Sequence, residues 1–331
     1  MPLQIIRENI VHMKTDAIVN TTNTSLQAGG GVCGSIFDSA GYEAMKKACQ
    51  TIGRCEIGMA VITPGFDLPA KYVIHTVGPA WHGGTYGEET ILRSCYRSAL
   101  MLAVRNHLAS ISFPLIATGL LGYPKDEALS VAVSEISLFL MRHELLVNIV
   151  VYDRNSFQLS QKLFDSVSSY IDDKYVDERM NLAHLLPVMG MPAAAYMPKT
   201  AIFAGAALQR KLKDVLKQLD ETFSESLIRM IDDKGKTDVE VYKKANIDRK
   251  HFSKIKNNKE YKPKKETALA LAIGLELSLD ETKDLLSRAG FALSHASKQD
   301  LVVEYFIEIG NYDINQINEA LFAFDQPQLG G

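Results

Sequence analysis

Cysteine is scarce and unpatterned in this chain. Its four copies, Cys33, Cys49, Cys55 and Cys95, lie in the first third, with no C-x-x-C pair and no histidine at zinc-finger spacing. Such usage excludes a disulfide framework or a zinc finger and fits a reducing compartment. No metal site and no cofactor are expected. Long apolar runs are missing as well. Nothing approaches the ~20 residues of a membrane span, and Arg7 and Glu8 stand where a signal peptide would be apolar. A cytoplasmic protein is the expectation. Nor is there an overall excess of one charge: 36 Lys and Arg against 39 Asp and Glu give a net charge of −3. The chain as a whole has no pull toward nucleic acid or an anionic membrane.

What is present is the composition of an ordinary globular protein, 47% hydrophobic and 23% charged over 331 residues. That length exceeds what one core usually serves, so two domains are expected. Up to about Tyr170, apolar strands alternate with amphipathic helices. Strands are expected at Leu3–Ile6, Ala17–Val19, Ala60–Thr63, Tyr72–Val77, Ile111–Pro114 and Val147–Tyr152. Helices are expected at Gly34–Ala40, Glu43–Thr51, Glu88–Asn106, Lys125–Arg142 and Ser156–Ile171. This alternation predicts an α/β layer sandwich, with ligands outside the carboxyl ends of the strands. Between Asp172 and Thr200 the pattern breaks down, with Pro187, Gly190, Pro192 and Pro198 marking a linker. Beyond it only helical spacing is found, as in Leu208, Leu212, Val215, Leu216, Leu219 and Phe223.

The most informative stretch runs from Asp16 to Gly41. A short apolar strand meets Asn20 and Asn23, then Gly29, Gly30 and Gly31, then a helical segment from Val32. Glycines between a strand and a helix allow close backbone approach to a ligand, and free N–H groups at a helix start favour an anion. A second glycine-bearing loop spans Thr118, Gly119, Leu120, Leu121 and Gly122. The strand–glycine–helix arrangement of the first loop suits a diphosphate, gripped without a lysine.

These segments, with Tyr72-Val-Ile-His-Thr-Val-Gly-Pro79 and Val150-Val-Tyr-Asp153, resemble the macrodomain family, which binds ADP-ribose. The resemblance covers residues 1–172 and implies a three-layer α/β/α fold with a mixed central sheet. It implies that the N–H groups of Gly29, Gly30, Gly31, Val32, Cys33 and Gly34, with those of Thr118–Gly122, surround the diphosphate. Asn23 would hydrogen-bond the distal ribose through donor and acceptor together. Tyr152 would stand beside the adenine, Ile10 would offer its N–H to the ring, and Asn9 would accept from the adenine amino group. The family usually has an aspartate at position 9, so that contact loses charge assistance here. Asn20 and His75 are expected to be structural, and Trp81 and His82 to shape the rim.

Many macrodomains also cleave ADP-ribose from modified side chains or deacetylate O-acetyl-ADP-ribose. In the branch most resembled, an aspartate after Gly-Gly-Gly-Val helps activate water; here it is Cys33. A neutral thiol is a poor general base, while a helix start favours the thiolate and a bound diphosphate opposes it. Asn23 and Cys33 are thus the candidate catalytic pair, and loss of hydrolysis is the alternative. Leu121 replaces an aromatic beside the distal ribose.

Residues 201–331 are expected to be all-helical. Within them, 223–289 resembles the helix-turn-helix domain of phage-repressor-type regulators. Thr237-Asp-Val-Glu240 and Ser278-Leu-Asp-Glu281 read as capping boxes, and Asn246 falls at the turn. From Lys243 to Lys265 there are ten Lys or Arg against Asp248 and Glu260, a patch suited to phosphate. The resemblance makes Asp248–Lys256 the recognition helix, with Arg249, Lys250 and Lys254 reaching DNA or RNA. Tyr242 and Asp238 depart from the family pattern, one by bulk and the other by charge. Expected partners are therefore ADP-ribose or an ADP-ribosylated macromolecule, DNA or RNA at the basic stretch, and a partner ADP-ribosyltransferase; a protein-docking role or a plain solvated lysine face are the alternatives for that stretch. A regulator whose nucleic-acid affinity responds to an NAD-derived metabolite is the alternative.

Overall fold

The computed structural model describes residues 2–152, 163–174 and 221–330. The linker residues after 174, the helical spacing at 208–219 and the first part of the helix expected at 156–171 lie outside the described residues.

Six strands form one sheet: β1 (Leu3–Arg7), β2 (Ala17–Thr21), β3 (Ala60–Pro64), β4 (Tyr72–Thr76), β5 (Ser110–Pro114) and β6 (Leu146–Val151). Their order is β1-β6-β5-β2-β4-β3. All neighbours are parallel except β3 and β4, so the sheet is mixed as expected. Helices cover both faces: α1 (Val32–Ala40) and α2 (Tyr42–Ile52) on one, α3 (Glu88–Arg105) and α4 (Lys125–Leu140) on the other. Strand periodicity explains the two cores. Ala17, Val19 and Ile74 pack with α3 and α4, while their neighbours Ile18 and Val73 pack with α1 and α2.

A helix at 163–174, α5, joins the helical half. Its Val167 and Ile171 belong to the same core as Phe223, Phe252, Leu271 and Phe306. Seven further helices follow among the described residues: α6 (Phe223–Asp233), α7 (Asp238–Lys244), α8 (Arg249–Asn257), α9 (Lys265–Gly274), α10 (Leu279–Arg288), α11 (Lys298–Glu308) and α12 (Ile314–Ala323). Both expected capping boxes form, Thr237 with Glu240 and Ser278 with Glu281. A third, Thr222 with Glu225, starts α6. Asn246 occupies the turn between α7 and α8 with φ 55°.

The two halves meet along the free edge of β1. Leu3 and Ile5 point their N–H and C=O groups away from β6, and two carboxamides answer them. Asn246 exchanges a pair of bonds with Leu3 at 2.8 and 2.9 Å. Gln328 does the same with Ile5 at 3.0 and 2.7 Å. Arg7 pairs with Asp325 at 3.0 Å and lies over the Phe322 ring. An edge that would otherwise recruit another strand is thereby closed. Lys243 adds bonds to the Leu140 and Met141 carbonyls at the end of α4.

Candidate functional site

β2 and β5 are adjacent and parallel, so the loops that leave their carboxyl ends emerge on one side of the sheet. The first carries Gly29, Gly30 and Gly31 into α1; the second carries Thr118–Gly122 toward α4. In the first, Gly31 takes φ 62° before α1, and the loop folds back on that helix. A Cβ at Gly34 would lie 2.7 Å from the Gly29 carbonyl oxygen. In the second, Gly122 donates to the Gly119 carbonyl at 3.0 Å and the Leu121 carbonyl accepts from Trp81 at 2.8 Å. The turn leaves Leu120 at its tip, 96% exposed.

Among the described residues, no protein acceptor meets the N–H groups of Gly29, Gly30, Gly31, Val32, Thr118, Gly119, Leu120 and Leu121. Two arms of open amide donors therefore lie at one edge of the sheet, an arrangement of the kind that favours anions. Asn9 and Ile10 follow β1 at this same edge, and Tyr152 follows β6 there, 71% exposed. The Asn9 side-chain oxygen caps the short turn Ile10–His12 by accepting from Val11 N–H at 3.2 Å. Ile10 N–H has no acceptor among the described residues.

Asn23 differs from the expectation in one respect. Its Oδ1 already accepts from the N–H groups of Ser25 and Gln27, both at 3.1 Å. Its two lone pairs are committed to shaping the loop, which leaves Nδ2 as the group able to donate outward.

Cys33 is buried at the start of α1. Its thiol donates weakly to the Gln27 carbonyl at 3.8 Å and accepts from Asn20 Nδ2 at 3.5 Å. The other Asn20 amide hydrogen goes to His75 Nδ1 at 3.0 Å. That assigns the proton of His75 to Nε2, which faces Thr63 Oγ1 at 2.8 Å. Burial pushes the His75 pKa down to about 4, so the ring is neutral. Asn20 and His75 are structural, as their sequence setting suggested. They tie β2 and β4 to the floor of the first loop.

The rim segment 81–87 is organised by a residue that sequence reasoning passed over. The buried Glu88 carboxylate accepts from the N–H groups of His82, Gly84 and Tyr86 at 3.0, 3.3 and 2.7 Å. Three glycines before an acidic residue at a helix start were the available signal.

The structure sorts the basic stretch. Lys243, Lys244, Lys256, Lys259 and Lys265 pair with Glu144, Glu276, Asp238, Glu225 and Asp300. Arg249, Lys250, Lys254, Lys262 and Lys264 are exposed and have no acidic partner among the described residues. Both residues that depart from the helix-turn-helix pattern have partners. The Asp238 carboxylate is held by Lys256 Nζ at 2.6 Å. Tyr242 is buried against Phe252 and donates to Glu144 at 3.2 Å, so its bulk serves the junction between the halves. No helix among the described residues is long and apolar enough to cross a membrane.

The chain is similar in sequence to known proteins over its first half. The Macro domain family model matches residues 19–132. A Macro domain-containing protein of Methanosarcina mazei is 43% identical over 167 residues, covering 50% of this chain and 89% of its own length. An O-acetyl-ADP-ribose deacetylase of Salmonella gallinarum is 47% identical over 167 residues, covering 49% of this chain and 93% of the relative. A solved macrodomain of Oceanobacillus iheyensis with ADP is 41% identical, with a TM-score of 0.45, covering 46% of this chain and 85% of the other.

Proposed function

The chain belongs to the Macro domain family, and from that membership we propose that its cleft binds ADP-ribose. The observation that carries the reading is the set of unanswered amide donors on two loops leaving adjacent strands. A diphosphate lying across Gly29–Val32 and Thr118–Leu121 would satisfy them without any lysine. The adenine would lie toward Asn9, Ile10 and Tyr152, and the distal ribose toward Asn23 Nδ2 and Leu121. Calorimetry tests this. ADP-ribose is expected to bind one-to-one and more tightly than AMP, which lacks the second phosphate. No heat at millimolar ADP-ribose would overturn the proposal.

The cleft is proposed to hold its ligand more readily than it cleaves it. The position that would need a base holds a thiol already engaged with Gln27 and Asn20. Any turnover would then rest on water oriented by Asn23 Nδ2 and the ligand's own phosphate. The natural ligand is an ADP-ribosyl group on protein or nucleic acid, which only an ADP-ribosyltransferase reaction can supply, or O-acetyl-ADP-ribose, named for the Salmonella relative.

A second activity is favoured by a separate observation. Arg249, Lys250 and Lys254 form an exposed cationic face without internal neutralisation, suited to nucleic-acid phosphates. Charge reversal of the three is expected to abolish a low-salt gel shift.

A further inference from the structure

The two faces lie at opposite ends of one strand. Asn246 is fixed to Leu3, the first residue of β1, and Lys243 to the end of α4, just before β6 begins. The amide loops, Asn9 and Tyr152 all follow the strands' last residues. Helix α8 opens three residues after Asn246, so Arg249 and Lys250 set out from the end of the sheet remote from the cleft. Side-chain bonds hold the halves together at Leu3, Ile5 and Arg7, along the whole of β1. The α7–α8 turn is thus anchored at the end of β1 opposite to the end from which Asn9 and Ile10 leave.

Resting on both readings above, we propose that the chain is a two-ended bridge, holding an ADP-ribosyl group in the cleft and a nucleic-acid backbone on α8 at the same time. The surface extends beyond the helix to Lys262 and Lys264. Lys250 and Lys254 share one helical face, interleaved with exposed Ser253 and Asn257 as further donors. Between 249 and 264 no large apolar side chain is exposed. A protein interface is anchored by buried aromatic and apolar groups, whereas phosphate contacts need only cations and amide or hydroxyl donors. That contrast selects nucleic acid over an acidic protein.

The test uses the full chain, beads carrying ADP-ribose and a short fluorescent DNA duplex. The duplex is expected on the beads only when the chain is added, and free ADP-ribose or raised salt should release it. In solution, saturating ADP-ribose should change duplex affinity by less than about twofold. Reversing Arg249, Lys250, Lys254, Lys262 and Lys264 to Glu should weaken the duplex at least about tenfold and leave ADP-ribose affinity unchanged. Mutual exclusion of two ligands that each bind alone overturns the bridge. So does capture of poly-glutamate but not DNA, or no duplex binding at low salt, and both leave the cleft reading intact. Failure of ADP-ribose to bind the free chain removes the cleft reading and the bridge with it.

Discussion

Asn246 and Leu3 exchange two hydrogen bonds, with Leu3 N–H donating to Oδ1 at 2.8 Å and Nδ2 donating to the Leu3 carbonyl at 2.9 Å. One carboxamide thus imitates a neighbouring strand, across 243 residues of sequence. The same residue holds the left-handed turn between α7 and α8, so one side chain sets both the local bend and the junction of the halves.

These two roles are separable. Asn246→Gly keeps the backbone conformation but leaves a buried N–H and C=O unanswered at Leu3. Its expected cost is about 2–4 kcal/mol, read as a lower midpoint in urea unfolding. A midpoint equal to that of the natural chain would show that water replaces the carboxamide without loss.

Much of the first half was legible because its signals are local. The apolar runs around Val19, Val73 and Ile149 and the Gly29–Gly31 triplet each sit in one short stretch, and every expected strand forms within two residues of its place. Thr237 and Ser278 announced their helices because a capping box is complete within four residues. The amide loops were likewise visible, although the commitment of the Asn23 oxygen to Ser25 and Gln27 was not, because loop curvature decides it. Long-range partners left no trace. Nothing near Asn246 or Gln328 points to β1, and nothing near Lys256 or Lys265 separates them from Lys254 or Lys264. Helix α5 read as part of the first half from its place in sequence, yet Val167 and Ile171 complete the helical core.

The first amide loop depends on the absence of one atom. A Cβ at Gly34 would meet the Gly29 carbonyl oxygen at 2.7 Å, and because both groups are backbone, the loop must shift. Gly34→Ala is expected to weaken ADP-ribose by about tenfold or more, equivalent to roughly 1.4 kcal/mol, measured by calorimetry. Gly30→Ala serves as the comparison, since its added methyl meets nothing within 4 Å. A Gly34→Ala melting temperature equal to that of the natural chain, showing that the methyl is accommodated without strain, would refute the packing account.

Cys33→Asp is expected to raise the rate of acetate release from O-acetyl-ADP-ribose by about a hundredfold, the lower range for a positioned general base. Asn20 Nδ2, now 3.5 Å from the sulfur, would donate to the new carboxylate. The Gln27 carbonyl would lose its thiol donor and face negative charge, so a stability cost of about 1 kcal/mol should accompany the gain. Rapid release by the natural protein, unchanged in the variant, would show that this position carries no catalytic burden.

Stability should respond to pH through Glu319 on α12. Partly exposed, it lines an open groove of about 1290 Å³ between α4 and the helical half, with Asp126, Lys243, Glu276 and Asp313 also on its walls. Burial first, then the nearby Asp313 charge, raises its carboxyl pKa from 4.5 to about 8. The folded chain keeps a proton there that the unfolded chain releases, so this contribution is complete below 4.5 and is lost as pH rises through 8. His75 acts in the opposite sense. Its pKa falls from 6.5 to about 4, so its contribution is present above 6.5 and is lost as pH drops toward 4. The two windows overlap, and the raw melting curve of the natural protein would therefore blur them. Glu319→Gln isolates one, because the amide stays neutral while His75 is untouched. The melting temperature of the natural chain minus that of the variant should decline steadily from roughly pH 5 to pH 8. A constant difference across that range would mean that the Glu319 carboxylate is solvated in the folded protein.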